Sequence, residues 1–106
     1  MSGAANPARG EAALTVAGGT IKVRPSFQAL VAAEEELGPL LALVERAGSG
    51  ALSVRELVAL IWHCLDDAPA AITRERLGEA IVEAGLAAAM PVLKTLVRQI
   101  LGGRAG

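Results

Sequence analysis

The sequence has few of the side chains that carry out chemistry or fill a large core. Its 106 residues include one cysteine, one histidine, one tryptophan, one phenylalanine and no tyrosine. The single cysteine, Cys64, can form no internal disulfide, which suits a reducing cytoplasm. Aromatic residues make up 2% of the chain and hydrophobic residues 53%, many of them alanine, so the composition favours helices packed closely on small side chains.

The chain also lacks an excess of one charge and lacks long apolar runs. Ten basic residues are spread along the chain against 11 acidic ones, and the formal net charge is -1. Nucleic-acid binding through counterion release needs a basic footprint, so we expect no nucleic-acid partner. Charge, proline or glycine interrupts every apolar run well before the ~20 residues that span a membrane, and residues 1–8 do not resemble an export signal. We expect a soluble, cytoplasmic protein with no membrane partner.

The pattern after the N-terminus predicts a β-hairpin. Four apolar residues alternate with polar ones on either side of a glycine pair, Gly18-Gly19: Leu14, Val16, Ile21 and Val23. An isolated hairpin is only marginally stable in water, so its apolar face must be covered. The following helix is expected to cover it, from an N-cap at Ser26 to about Leu37, with Phe27, Leu30 and Val31 on one stripe.

Further helices are predicted by apolar residues at i, i+3 and i+4 spacing. One follows Gly38-Pro39, and the next begins with a capping box, Ser53 to Glu56, in which hydroxyl and carboxylate each accept a free backbone N–H. The apolar stripe of this third predicted helix is expected to contain Val54, Leu57, Val58, Ile61 and Leu65.

The last part of the chain predicts two more helical segments. Thr73 is expected to cap one that ends at Gly85, and the other runs from Leu86 to Leu101. Pro91 predicts either a kink or a fresh helix start with Pro91 in the first turn. The expected fold class is α+β, mostly α: an N-terminal β-hairpin followed by a bundle of four to five short helices. Residues 1–8 are expected to be disordered, 9–102 to form a single domain, and 103–106 to be a flexible tail.

The reactive side chains gather in one place, Trp62-His63-Cys64. At 100° per residue, His63 points away from the apolar stripe of its helix, and adjacent helical residues do not face each other. A Cys–His nucleophile is therefore not expected, and we predict an exposed histidine beside a buried structural thiol. One histidine and one cysteine cannot supply the ligands of a zinc site. We expect no catalytic residues, no metal, no cofactor and no small-molecule substrate, hence no enzyme.

Two sets of glutamates bear on the kind of partner. Glu34-Glu35-Glu36 is typical of a solvated helix face, and an acidic docking patch stays open as its functional alternative. Glu75, Glu79 and Glu83 make their helix too acidic for a typical DNA-recognition helix. A small DNA-binding regulator and a housekeeping oligomer stay open as further alternatives.

Surplus apolar surface is the feature with the most functional content, because exposed apolar patches mark partner sites. The last helix carries a wide apolar stripe, and Trp62 of the middle helix joins it in the predicted partner-binding set: Leu93, Leu96, Val97, Ile100, Leu101 and Trp62. The alternative, that this helix simply closes the core, stays open.

Five short stretches carry a family resemblance, in this order: Arg9-Gly10-Glu11, Arg24-Pro25-Ser26-Phe27, Glu34-Glu35-Glu36-Leu37-Gly38, Leu60-Ile61-Trp62 and Glu83-Ala84-Gly85-Leu86. Alanines, Pro91 and an apolar end follow. Their order and spacing, from about Arg9 to Gly103, resemble a small family encoded in the tail gene clusters of phages, prophages and gene transfer agents. Its members are described as tail assembly chaperones and are also labelled tail tube proteins, and the gene transfer agent branch is the most similar.

The resemblance implies a non-catalytic protein that helps to build a tail. It would keep the hydrophobic tape measure protein soluble and assist tail tube subunits as they polymerise, so both are expected partners. Self-association into a homo-oligomer stays open. The competing role, a structural tube component, fits less well, because a tube ring needs more strand edges than the one predicted hairpin offers.

Overall fold

Local sequence signals account for most of the helix starts in this fold. A computed structural model describes residues 12–16, 19–66 and 71–102. Its elements in chain order are β1 Ala12–Val16, β2 Gly19–Val23, α1 Phe27–Leu37, α2 Leu40–Gly48, α3 Val54–His63, β3 Leu65–Asp66, α4 Arg74–Ala84, a 3-10 turn Leu86–Ala89 and α5 Met90–Gly102. The predicted class, α+β and mostly α with an N-terminal hairpin, is confirmed. The predictions for residues 1–8, Gly18, 67–69 and 103–106 lie outside the described residues.

The helix starts follow their capping residues. The Ser26 hydroxyl accepts the N–H of Ala29 at 3.2 Å, and Thr73 accepts that of Arg76 at 3.1 Å. The predicted capping box of α3 is present, with both of its reciprocal hydrogen bonds between Ser53 and Glu56. At the other end of α4, Gly85 takes a φ of 96°, which favours glycine over a residue with a Cβ.

The predicted hairpin forms, with Gly19 as the first residue of its second strand, and it gains a third strand. β1 pairs antiparallel with β2, so that Leu14 lies opposite Ile21. β3 pairs with the other edge of β2, and Val23 lies opposite Leu65. The prediction that placed Leu65 on the stripe of the third helix was therefore wrong. That helix ends at His63, and the carbonyl of Cys64 accepts the N–H of Arg24 at 2.7 Å, which draws the next residues into the sheet.

The cover of the hairpin differs from the prediction. β1 packs against α5, the 3-10 turn and α4, whereas α1 packs mainly against α3 and α2. The buried residue of α1 is Ala33, while Phe27 is 82% exposed and Val31 is also exposed. Small alanine side chains allow α1 to approach its neighbours closely, so the larger residues of the expected stripe are left at the rim. Leu30 alone of that stripe packs against the core.

The core of the described chain joins the hairpin, α3, α4 and α5. Five consecutive residues of α3, Leu57 to Ile61, are buried, together with Leu77 and Ile81 of α4. Pro91 is the second residue of α5, so the fresh start in the first turn is the alternative that the structure confirms. Among the described residues no single helix is long and apolar enough to cross a membrane. One bent pair, Arg74–Ala84 with Leu86–Gly102 at 112°, meets that test by length and composition only.

Candidate functional site: the outer faces of the helices

At the end of α3, the reactive side chain of His63 takes part in a polar contact, the Glu36 tie, that joins α1, α3 and α4. Glu36 of α1 lies between two partners: its Oε1 is 2.7 Å from Nε2 of His63, and its Oε2 accepts from Nη1 of Arg74 at 2.6 Å. The Arg74 guanidinium also lies 5.9 Å from the centroid of the Trp62 ring. These hydrogen bonds, first that from Arg74 and then that of His63, lower the pKa of Glu36 from 4.5 to about 2. The expected exposed histidine is in fact half-buried.

The Cys64 thiol is buried at the end of α3, as the sequence predicts. Burial raises the pKa of the Cys64 thiol to about 12, because the thiolate would lose its hydration. The nearest hydrogen-bonding partner of His63 is a carboxylate on α1, so the histidine is not placed as a base for this thiol. Within the described ranges, no group of three or more His, Cys, Asp or Glu side chains could hold a metal ion.

Two of the three carboxylates in the first acidic run have partners inside the fold. Glu34 Oε2 accepts the N–H of Leu40 at 3.1 Å and so caps α2, and Glu36 makes the tie just described. A second ion pair, Arg46 with Glu56, joins α2 to α3. It lowers the pKa of Glu56 to about 2, with the Ser53 N–H as the next largest cause. This run therefore serves the packing of the helices more than it offers a free acidic patch.

The structure divides the partner-binding set predicted on α5. Leu93 and Leu96 are buried in the core because α5 covers the hairpin, so neither is presented on the surface as expected. Val97 and Trp62 are half-buried against the same core. Ile100 is half-buried, and Leu101 is 62% exposed. A partner-binding role for this set stays a prediction, and Leu101 is the member best placed to test it.

The outer face of α5 is basic and apolar together. Four side chains that are exposed in the structure lie within one narrow stripe at 100° per residue: Met90, Lys94, Arg98 and Leu101. Neither Lys94 nor Arg98 forms an ion pair with any residue in the described part of the chain. The sequence showed these polar residues opposite the buried stripe, but the exposure of Leu101 and Met90 beside them depends on how α5 packs.

A groove between α3 and α4 was missed by the sequence-based predictions. It has a volume of about 450 Å³, and its lining consists of small apolar residues and glutamates: Val54, Val58, Gly78, Val82, Glu75, Glu79 and Glu83. Val54 is 43% and Val82 60% exposed, so the apolar surface is open to solvent. Val54 was expected on the inner stripe, and Gly78 was not singled out. The sequence shows that the three glutamates are four residues apart, but it does not show that they lie beside an apolar groove.

A second hollow, of about 320 Å³, lies where α1 begins and α3 ends. Its lining is mixed: Arg24, Ser26, Gln28, Ala29, Ala32, His63, Leu65 and Asp66. The imidazole that reaches it is held by Glu36. Within this lining, the Ser26 hydroxyl accepts the N–H of Ala29 and the His63 imidazole pairs with Glu36, so the hydrogen bonds of the described residues do not join these two side chains.

The described residues thus define a mostly helical α+β protein with apolar side chains on the outer faces of its helices. A family model described as "Phage tail tube protein, GTA-gp10" matches residues 9–103. The chain belongs to this family of phage and gene transfer agent tail proteins, and the resemblance seen in the sequence is confirmed. No curated protein and no solved structure matches the chain.

Proposed function

We propose that the chain is a tail assembly chaperone of a phage, prophage or gene transfer agent. In this role it binds the hydrophobic tape measure protein in the cytoplasm of the bacterial host and assists the tail tube subunits as they assemble around it. The proposal is non-catalytic: the protein acts by covering apolar segments of its partner until the tube replaces it.

The observation that carries the proposal is the apolar surface of the helices. Each of the five α-helices that the structure describes exposes at least one large apolar side chain: Phe27 and Val31, Leu41, Val54, Val82, and Met90 with Leu101. Single exposed apolar residues are common, but the α3–α4 groove joins two of them around a shared floor. A protein that keeps a hydrophobic helical partner in solution needs such surface, and grooves between helices tolerate many similar apolar segments.

The test is co-expression with the tape measure protein from the same gene cluster, followed by measurement of the partner's soluble fraction and a pull-down. We expect the tape measure protein to become soluble and to co-purify with the chain. Replacing Leu101 by Asp tests the α5 surface and should weaken the binding. Ala42→Asp, at an exposed position on α2 outside the apolar side chains named above, is the control. A tape measure protein that stays insoluble and unbound with the wild-type chain would contradict the proposal.

A structural tube subunit is the second candidate, because the family description itself names the tail tube. A tube ring closes through paired strand edges. The described sheet has three strands in the order β1-β2-β3. The small number of described strands favours the chaperone role over the tube role. Incorporation of the chain into finished particles at the copy number of the tube subunit would favour the second candidate instead.

A further inference from the structure

We infer that the chain associates with itself, the outer face of α5 in one copy docking into the α3–α4 groove of a second copy. The inference goes beyond the chaperone role and does not rest on it, because both surfaces are present on the chain alone. A second copy is the occupant of the groove because its α5 face carries the charge opposite to that of the groove.

The groove supplies an apolar floor with an acidic rim. Gly78 and Val58 form the floor of the groove, and Gly78 has no side chain to fill it. A Cβ placed at Gly78 would lie 3.5 Å from Cγ1 of Val58, an ordinary contact distance. The exposed side chains of Val54 and Val82 border this floor. All the charged residues in the lining are glutamates, and an approaching helix would meet them beside the apolar surface.

Three glutamates form a row on α4 with no ion pair to the described residues. Glu75, Glu79 and Glu83 are spaced four residues apart on α4, and the row is about 12 Å long at 1.5 Å per residue. None of them forms an ion pair with the residues that the structure describes, whereas Glu36 and Glu56 each have an arginine partner. Like charges at i and i+4 repel along a helix, so a cationic helix laid in the groove would relieve a cost that the free chain carries.

The outer face of α5 has the matching chemistry. Lys94 and Arg98 are also four residues apart, and both are exposed. Met90 and Leu101 lie on the same stripe and supply apolar contact for the floor. The stripe from Met90 to Leu101 is about 16 Å long, which is enough to run the length of the acidic row.

The geometry of such a contact determines its products. The groove and the α5 face are different surfaces, so the contact is heterologous, and repetition gives a closed ring or an open chain of copies. The groove is lined by seven residues, whereas a standard stable interface has about 20–30 on each side, so the association should be weak. We expect it to be measurable between about 10 µM and 1 mM protein and to weaken as salt screens the exposed charges.

The test is sedimentation equilibrium of the full chain, with charge reversals on each surface. Glu79→Lys with Glu83→Lys reverses the groove, and Lys94→Glu with Arg98→Glu reverses the α5 face. Glu35→Lys with Glu45→Lys is the matched control at exposed positions outside both surfaces. Each reversed variant should associate about tenfold more weakly or not at all, while the control retains wild-type association. Circular dichroism checks that all the variants keep their helices.

Mixing the two reversed variants gives the sharpest result. The basic groove of the first variant then meets the acidic α5 face of the second. The acidic groove of the second variant meets the basic α5 face of the first, so association should return in the mixture. Val82→Asp should also weaken association by placing a charge on the floor at an exposed position. A wild-type chain that stays monomeric at 1 mM in low salt, or reversed variants that associate as the wild type does, would overturn the inference. So would a monomeric chain whose groove binds only an added lysine-rich amphipathic peptide.

Discussion

Two leucines of α5, Leu96 and Leu101, provide a direct test of how that helix packs. Leu96 is fully buried, and Leu101 is 62% exposed, although both belong to the apolar stripe that the sequence presents. Replacing Leu96 by Ala removes buried methyl groups and leaves a cavity between α5 and the hairpin that it covers. Such changes cost about 2–5 kcal/mol, whereas a change at an exposed position usually stays within about 0.5 kcal/mol.

The size of this difference makes it easy to measure. The chain has 106 residues, so its free energy of unfolding should be about 5–15 kcal/mol, and Leu96→Ala would remove a large part of it. A loss of about 3 kcal/mol lowers the urea midpoint by roughly 1–3 M, or the melting temperature by about 12–24 °C. Leu101→Ala should leave both almost unchanged.

The assay is urea unfolding of the two variants and the wild type, followed by far-ultraviolet circular dichroism. Equal slopes against urea for all three chains would show that the midpoints report stability alone. If Leu101→Ala destabilised the chain as much as Leu96→Ala, α5 would bury a different face from the one described. The division of the predicted partner set into core and surface residues would then be wrong.

Three further predictions test other parts of the account. Gly78→Ala should raise the free energy of unfolding by about 0.5–1 kcal/mol in a urea titration, because alanine is favoured over glycine inside a helix and the added Cβ meets only ordinary contacts. A loss of stability would show that the floor of the groove is tighter than described. The pKa of Glu36 is lowered from 4.5 to about 2, so its pairing stabilises the fold above pH 4.5, and this contribution is lost as the pH falls from 4.5 towards 2. The free energy of unfolding of Glu36→Gln should therefore fall less steeply with acid than that of the wild type. An unchanged slope would count against the pairing of Glu36 with Arg74 and His63. Cys64 should react with a thiol reagent at pH 8 only on the timescale of unfolding, because burial raises its pKa to about 12; rapid labelling of the native chain would contradict its burial.

The features that the sequence predicts well are those set by neighbouring residues. Ser26, Ser53 and Thr73 cap their helices as expected, because each hydroxyl needs only the N–H three residues ahead. The alternation of apolar residues from Leu14 to Val23 predicts the hairpin that β1 and β2 form. Pro91 narrows the path of the last helix to two alternatives by its own ring geometry.

The features that it does not predict depend on distant parts of the chain. Nothing local indicates that α5 rather than α1 covers the hairpin, or that Leu65 leaves the helix to pair with β2. Phe27 resembles a core residue by type, but the close approach of α1 through Ala33 leaves it outside. The α3–α4 groove combines residues about 20 positions apart, and an apolar stripe alone cannot show which of its members stay exposed.

The most direct test of the chaperone account is the copy number of the chain in purified, finished particles, measured by quantitative mass spectrometry against the tail tube subunit. A chaperone acts before the tube is complete and is replaced by it. The account therefore predicts that the chain is absent from particles or far below the tube subunit, while it remains bound to the tape measure protein in the cell extract. A copy number equal to that of the tube subunit would contradict the account and identify the chain as part of the tube.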